Sequence, residues 1–278
     1  MLVVALVGLC IGSTGAHAVS DIDRISSLDA NPRFAERHHT LHKLSAGDLE
    51  SGAAQLIDFM REQQVPTGMR PVDYMSLVND SFNLLVKNHI RADELLRLIL
   101  EVIPDESADE VWRDYAVQKL GYTLDRQDIS PATLDAGLAM LERVVRGEFP
   151  RVQGTGLIVA FKLSETFART HPFLQKEALG GMALAGAKDE GALLIDRVTA
   201  LQVAALCGRT DALSYAKLLI RNGVSDEQET MLLVSAIAVV GEQGGASERA
   251  LVEAFHLSPD IRIRAATRTA LQKIEARL

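Results

Sequence analysis

The sequence predicts an all-α protein, on the grounds of its composition and its hydrophobic periodicity. Alanine occurs 35 times and leucine 38 times among the 278 residues, whereas aromatic residues make up 5% of the chain. Such a composition favours helices over sheets. Apolar residues recur at three- and four-residue spacing from about residue 45 to the end, and no alternating strand pattern of five or more residues interrupts them.

Proline, glycine, serine and aspartate divide this part of the chain into about twelve helical segments. Ser130-Pro131 and His171-Pro172 each place a proline at a first helical position, where its missing N–H is not needed. The predicted helices are residues 46–64, 71–88, 91–103, 108–125, 131–146, 152–168, 172–186, 190–207, 211–222, 226–240, 247–257 and 260–276.

The first residues resemble a secretory signal peptide. Residues 2–11 are apolar, and the small residues Ala16 and Ala18 follow in an A-x-A pattern that suits signal peptidase. We therefore expect residues 1–18 to be removed near Ala18 and the protein to be exported, either to a periplasm or to the outside. The n-region carries no Lys or Arg, in contrast to most such signals, and the alternatives are an uncleaved anchor or a chance apolar terminus.

The expected mature chain has two parts. Residues 19–44 lack a clean period and predict an extended arm or a loosely docked helix, whereas residues 45–278 form the helical domain. Removal of Cys10 with the signal leaves Cys207 alone, so no internal disulfide is expected. Cys207 stands in an apolar run, which favours a buried residue over a nucleophile.

The charge balance excludes a general nucleic-acid-binding role. The chain has 29 basic and 37 acidic residues, for a net charge of -8, and an acidic surface repels phosphate backbones. No apolar run reaches the roughly 18 residues of a membrane span, so no stable membrane insertion is expected after signal cleavage. The oligomeric state cannot be predicted from this composition.

Internal similarity favours stacked helical hairpins over a globular bundle. Residues 204–208 align with residues 237–241 at a spacing of 33, and Ala270 follows Ala238 by 32. Repeats of this length are typical of solenoids, in which each hairpin needs a neighbour to bury its apolar stripes.

The last helix resembles the second helix of a HEAT-type repeat. Pro259-Asp260 precedes Ile263-Arg264, small alanines follow, and Ala270-Leu271 with Ile274 closes the pattern; a weaker similarity surrounds Arg113. The resemblance is clearest over residues 196–276, and it implies an α-solenoid, armadillo-like in architecture. The middle repeats depart from the family pattern, because Thr199 and Leu232 stand where the arginine is expected.

Signatures of catalysis are sparse, and no cofactor is expected. The sequence contains none of the motifs G-x-S-x-G, H-E-x-x-H, C-x-x-C or G-x-x-x-x-G-K-[ST]. Gly154-Thr155-Gly156 lacks a third glycine and a preceding strand, so we interpret it as the entry to a helix.

Histidines 38, 39 and 42 are weak candidates for metal ligands. If this segment is helical, His38 and His42 share a face, but two imidazoles hold zinc only when other ligands join them. A solvated histidine-rich arm is the favoured interpretation of His38, His39 and His42.

We expect a non-catalytic exported scaffold that binds a protein or peptide partner, the role that the HEAT resemblance implies. Its concave face would be lined by parts of residues 108–125, 152–168, 190–207, 226–240 and 260–276. The candidate partner-binding residues are Trp112, Tyr115, Arg262, Arg264 and Arg268. Burial of Trp112 in the core, and a solvated capping face for the arginines, are the simpler alternatives. The other functional hypotheses are an all-α metal-dependent hydrolase and a structural spacer in the cell envelope.

Overall fold

A computed structural model describes residues 20–125, 128–223 and 227–278, and these residues form fourteen α-helices, one 3-10 helix and no β-strand. The prediction of an all-α protein is confirmed. The helices are α1 Asp21–Ser26, α2 Phe34–Leu41, α3 Ala46–Glu62, α4 Pro71–Lys87, α5 Ala92–Val102, α6 Glu110–Leu124, α7 Pro131–Val145, α8 Gln153–Phe167, α9 Lys176–Lys188, α10 Leu194–Leu206, α11 Thr210–Asn222, α12 Glu227–Gln243, α13 Ala246–Glu253 and α14 Ile261–Glu275. The predicted signal peptide, residues 1–18, lies outside the described residues.

The twelve predicted segments correspond to α3–α14. Pro131 begins α7 as predicted, and the Ser130 hydroxyl accepts a hydrogen bond from the Thr133 amide at 3.4 Å. One of the three largest boundary differences, each of four residues, follows His171, where Pro172–Leu174 is a separate 3-10 helix and α9 begins only at Lys176. The intervening Gln175 has extended backbone, with a ψ of 136°, which separates the two helices.

Residues 20–44 form two short helices, in place of the extended arm or loosely docked helix that the sequence predicts. Ile25, Arg37 and Leu41 in this segment are each 0% exposed. α1 spans only six residues, and α2 has only Phe34, Ala35 and Leu41 as apolar residues, which explains why the sequence pattern does not reveal them.

Arg37 holds this segment together through its backbone contacts. Its guanidinium donates to the carbonyl oxygens of Ile25 at 2.8 Å, Asp29 at 2.7 Å and Pro32 at 2.7 Å, and also to Ser27. Burial lowers the pKa of Arg37. These carbonyls surround the connection between α1 and α2, so a single side chain fixes the fold of that connection.

Similar contacts recur along the chain. A side chain in the first turn of an even-numbered helix donates a hydrogen bond to a carbonyl at the end of the preceding helix or in the connection that follows it. The pairs are Arg37 with Ile25, Tyr74 with Phe59, Arg113 with Ile103, Gln153 with Val145, Arg197 with Ala187 and Arg264 with Ser258. Terminal carbonyls have no partner within their own helix, so these donors satisfy them.

The fourth residue of α2, α6, α10 and α14 is an arginine that makes this contact. In α10 the arginine is Arg197, whose Nε lies 3.3 Å from the Ala187 oxygen. The sequence alignment placed Thr199 at this position, two residues too far along. The arginine is therefore present in this middle hairpin, and the alignment had the wrong register there.

Helix packing joins neighbours in chain order. From α3 onward each helix packs against the next, and each even-numbered helix from α2 to α12 also packs against the following even-numbered one. The odd-numbered helices from α1 to α9 do the same. Within residues 20–125, 128–223 and 227–278, the extensive helix contacts join helices no more than two steps apart. No helix in these ranges is both long and apolar enough to cross a membrane.

Gly154 lies where α8 and α10 approach each other closely. A Cβ at this position would lie 2.7 Å from Asp196 Oδ1 and 3.0 Å from the Asp196 Cα, distances at which one of the helices must move. Gly181 in α9, by contrast, has open space beside it, because a Cβ there would meet no atom within 4 Å.

Glu248 joins α13 to α11. Its carboxylate accepts hydrogen bonds from Lys217 Nζ at 2.8 Å, the Gly245 amide at 3.0 Å and the Ser247 hydroxyl at 2.7 Å. The hydrogen bond from Lys217 is the largest of the effects that lower the pKa of Glu248 to about 2. The charged carboxylate is therefore the form that stabilises the fold.

Replacing Arg37 with methionine is expected to lower the free energy of unfolding by about 3 kcal/mol, because several buried carbonyls lose their donor. Urea denaturation measures the change, and hydrogen exchange should show faster exchange across residues 20–44. The control is Arg24→Met, which removes an exposed side chain whose closest approach to Asp21 is 3.9 Å. An unchanged urea midpoint for Arg37→Met would contradict this role.

Two glycine substitutions are expected to change stability in opposite directions. Gly154→Ala should destabilise the protein by about 1–3 kcal/mol through overpacking. Gly181→Ala should stabilise it by up to about 1 kcal/mol, because alanine is the better helix former. Thermal or urea unfolding of both variants measures the sign of each stability change. A stabilising effect of Gly154→Ala would contradict the close approach of α8 and α10 at this position.

The stability contributed by Glu248 should depend on pH. Because its folded pKa of about 2 lies below the usual value of 4.5, its contribution is present above pH 4.5 and declines as the pH falls towards 2. Glu248→Gln should cost about 2 kcal/mol at pH 7 and much less at pH 3. Urea titrations at several pH values test this, with the exposed Glu253→Gln as the control; a constant difference would contradict it.

Candidate functional site

Exposed large hydrophobic side chains concentrate on the even-numbered helices. Leu218 on α11 is the only one on an odd-numbered helix among the described residues. Those on even-numbered helices are Val72, Val111, Tyr122, Ile158, Ile195, Leu206, Met231 and Ile261. Both the odd-numbered and the even-numbered helices also contribute buried residues to the hydrophobic core.

The exposed positions of α6 and α8 face a common depression. Tyr122 on α6, and Thr155, Ile158 and Lys162 on α8, line a cavity of about 350 Å³. Their one-turn spacing places the three α8 residues on one side of that helix. Tyr122 is 60% exposed and Ile158 is 41% exposed, so an apolar surface is accessible there.

The exposed surface continues towards the C-terminal end. Ile195 and Leu206 of α10 are 54% and 51% exposed. Between α12 and α14, a second depression of about 330 Å³ is lined by alanines, among them Ala238 and Ala266, with Lys273 among its polar residues. We use the term even-helix face for the exposed side of α6, α8, α10, α12 and α14.

Polar side chains join successive even-numbered helices. From the N-terminal to the C-terminal end, the contacts are His38 and His42 with Asp80, Lys119 with Asn83, Thr155 with Asp114, Asp196 with the Gly154 amide, Ser235 with the Val198 carbonyl, Gln243 with the Ala205 carbonyl, and Lys273 with Glu242. These contacts hold the even-helix face in register.

The three candidate arginines of α14 differ in their surroundings. Arg262 pairs with the N-capping Asp260 at 2.8 Å, and Arg264 donates to the Ser258 and Pro259 carbonyls at 2.6 and 2.9 Å. Arg268 is exposed. Arg264 therefore has a structural role, whereas Arg262 is the one of the three that lines the depression between α12 and α14.

Trp112 is fully buried, so its side chain is not accessible to a partner. It belongs to the hydrophobic core, the simpler of the two alternatives for this residue, because its position on α6 faces inward between neighbouring helices. Tyr115 is partly buried and packs against the core. Tyr122, one turn beyond Gln118, is the exposed aromatic residue of this helix.

Cys207 ends α10 as a half-buried free thiol, and burial raises its pKa. A raised pKa lowers the fraction of reactive thiolate, so the geometry does not favour a nucleophile.

Two of the three candidate histidines meet an acidic residue from another helix. His38 Nε2 lies 3.1 Å and His42 Nε2 lies 3.4 Å from the same oxygen of Asp80 on α4. The two imidazole rings are 4.4 Å apart between centroids. His39 is exposed and does not join the cluster. Asp80 is 42 residues from His38 in sequence, so spacing alone did not reveal it.

A cleft of about 670 Å³ contains the buried acid Asp196. Burial raises the pKa of this carboxyl, and a hydrogen bond from the Gly154 amide, at 2.9 Å, acts in the opposite direction. The Gly154 amide belongs to the first turn of α8, where amides lack helical partners, so Asp196 caps that helix. The G-x-G segment is thus the start of α8, as predicted from the sequence.

Comparison of the chain with protein-family models, with curated proteins and with solved structures gives no match. The functional interpretation therefore rests on the residues of this chain.

Proposed function

We propose that the protein is a non-catalytic exported scaffold that binds a protein or peptide partner on the even-helix face of a HEAT-like α-solenoid. The observation that carries this proposal is the concentration of exposed hydrophobic side chains on the even-numbered helices. Large exposed apolar surfaces on soluble proteins mark interaction sites more often than scattered single residues do.

The contact pattern supports the solenoid. In a solenoid each repeat contacts only its neighbours, and the extensive contacts of the described helices join helices one or two steps apart. The odd-numbered and even-numbered helices would then form two parallel rows, with seven hairpins in the stack. The recurring arginine at the fourth position of α2, α6, α10 and α14 supports a repeated unit.

The chemistry of the face supports a protein or peptide partner. Tyr122, Ile158, Ile195 and Leu206 offer apolar and aromatic anchors, and buried anchors of this kind dominate protein interfaces. Lys162 and Asp125 line the cavity beside Tyr122 and would contribute a polar rim.

The export part of the proposal rests on the first eighteen residues alone. The apolar run from Leu2 and the A-x-A pattern ending at Ala18 favour cleavage there. Sequencing of the N-terminal peptide of protein purified from its native cells tests this point, with Val19 as the expected first residue.

Site-specific photocrosslinking tests the binding face. A photoreactive amino acid at Ile158 or Ile195 is expected to crosslink the same partner in native cells, because both positions lie exposed on even-numbered helices. The matched control is Leu218, which is 51% exposed on α11. Mass spectrometry of the purified crosslinked species identifies the partner and its contact peptide.

Substitutions at the same positions give a second readout. Ile158→Ser together with Ile195→Ser should weaken partner binding at least tenfold, a loss of about 1.4 kcal/mol, whereas Leu218→Ser should leave it unchanged. Crosslinks that are equally strong from Leu218, or absent from both test positions, would contradict the proposed face.

A further inference from the structure

Two imidazoles and one carboxylate converge on the exposed side of α2 and α4. The ligand atoms of His38, His42 and Asp80 all lie within 4.8 Å of one another. Their side chains are 41%, 46% and 26% exposed, so an ion from solvent can reach them. The site is built by two helices, because Asp80 belongs to α4 and both histidines belong to α2 or its C-terminal cap.

The distances fit a zinc ion. Zinc takes nitrogen and oxygen ligands at about 2.0–2.1 Å, and a tetrahedral arrangement at that radius places neighbouring ligand atoms about 3.3 Å apart. The two nitrogen-to-oxygen distances, 3.1 and 3.4 Å, lie on either side of this value. The four-residue spacing of His38 and His42 brings both rings to one face of the helix.

The surrounding structure holds the ligands in place. Leu41 and Arg37 anchor α2 from the buried side of the same helix, each at 0% exposure. Phe34 lies one turn before His38, with a ring distance of 5.5 Å. Asp80 also interacts with Lys119: burial lowers the pKa of this amine, and the charge of Asp80 acts to raise it. Lys119 Nζ donates a hydrogen bond to Asn83 Oδ1 at 2.6 Å, so the hydrogen-bond partner of this amine is Asn83 rather than Asp80.

We propose that His38, His42 and Asp80 bind one Zn²⁺ ion, through the two Nε2 atoms and a carboxylate oxygen. The imidazoles would bind in their neutral form, with the remaining proton on Nδ1, and would exchange their hydrogen bonds to Asp80 for bonds to zinc. Three protein ligands leave a fourth position for water. The ion would join α2 to α4 and so fix the first hairpin on the second.

Isothermal titration calorimetry with ZnCl₂ tests the site in the full chain, purified without a polyhistidine tag and treated with a chelator. The expected result is one zinc ion per chain. Asp80→Asn and His38→Gln should each weaken zinc binding at least tenfold, because even residues that only orient ligands change metal affinity by about 10–100-fold. Co²⁺ in place of Zn²⁺ should give the visible absorption of a tetrahedral site.

His39→Gln is the matched control, because it removes an exposed imidazole between the two ligands that does not belong to the cluster. Its zinc affinity should remain within about twofold of the original, a change well below that expected for a ligand. Circular dichroism confirms that each variant is folded. The absence of stoichiometric binding, an unchanged affinity for Asp80→Asn, or an equal loss for His39→Gln would overturn the site.

Discussion

The need to satisfy carbonyls at the ends of helices organises the chain. An odd-numbered helix ends with backbone acceptors that have no helical partner, and a donor from the first turn of the following helix reaches back to them. Arg37, Arg113, Arg197 and Arg264 serve this purpose at the same helical position, and Tyr74 does so in α4. Each contact fixes how one helix follows another, and contacts of this kind recur along the chain.

A hairpin held in this way exposes one apolar side, which its neighbours must cover. The contacts between successive even-numbered helices show how this happens, since Asp196 caps α8 from α10 and Gly154 leaves room for it. The outer side of these helices remains accessible, and it carries exposed apolar residues. Tyr122 and Ile158 lie on this accessible side, at 60% and 41% exposure. The His38, His42 and Asp80 cluster lies at the N-terminal end of the same series of helices.

Periodicity and helix-breaking residues were sufficient to predict α3–α14, because each buries a stripe at helical spacing. They did not reveal α1 and α2, whose stability depends on Arg37 contacts with distant carbonyls. The alignment missed Arg197 because it placed the matching position at Thr199, 65 residues before Arg264, whereas Arg197 precedes Arg264 by 67 residues. Asp80 could not be linked to His38 from sequence, since only the packing of α4 on α2 brings them together. The burial of Trp112 could not be predicted from sequence either, because an apolar stripe does not indicate whether its aromatic residue faces a partner or the core.

Small-angle X-ray scattering of residues 20–278 tests the stacked arrangement most directly. In the proposed solenoid, seven hairpins spaced 8–10 Å apart would form an array roughly 60 Å long. The radius of gyration should therefore exceed the value of about 18 Å expected for a compact protein of this length, with an asymmetric distance distribution. A radius of gyration at the compact value, with a symmetric distribution, would contradict the α-solenoid and the extended binding face that depends on it.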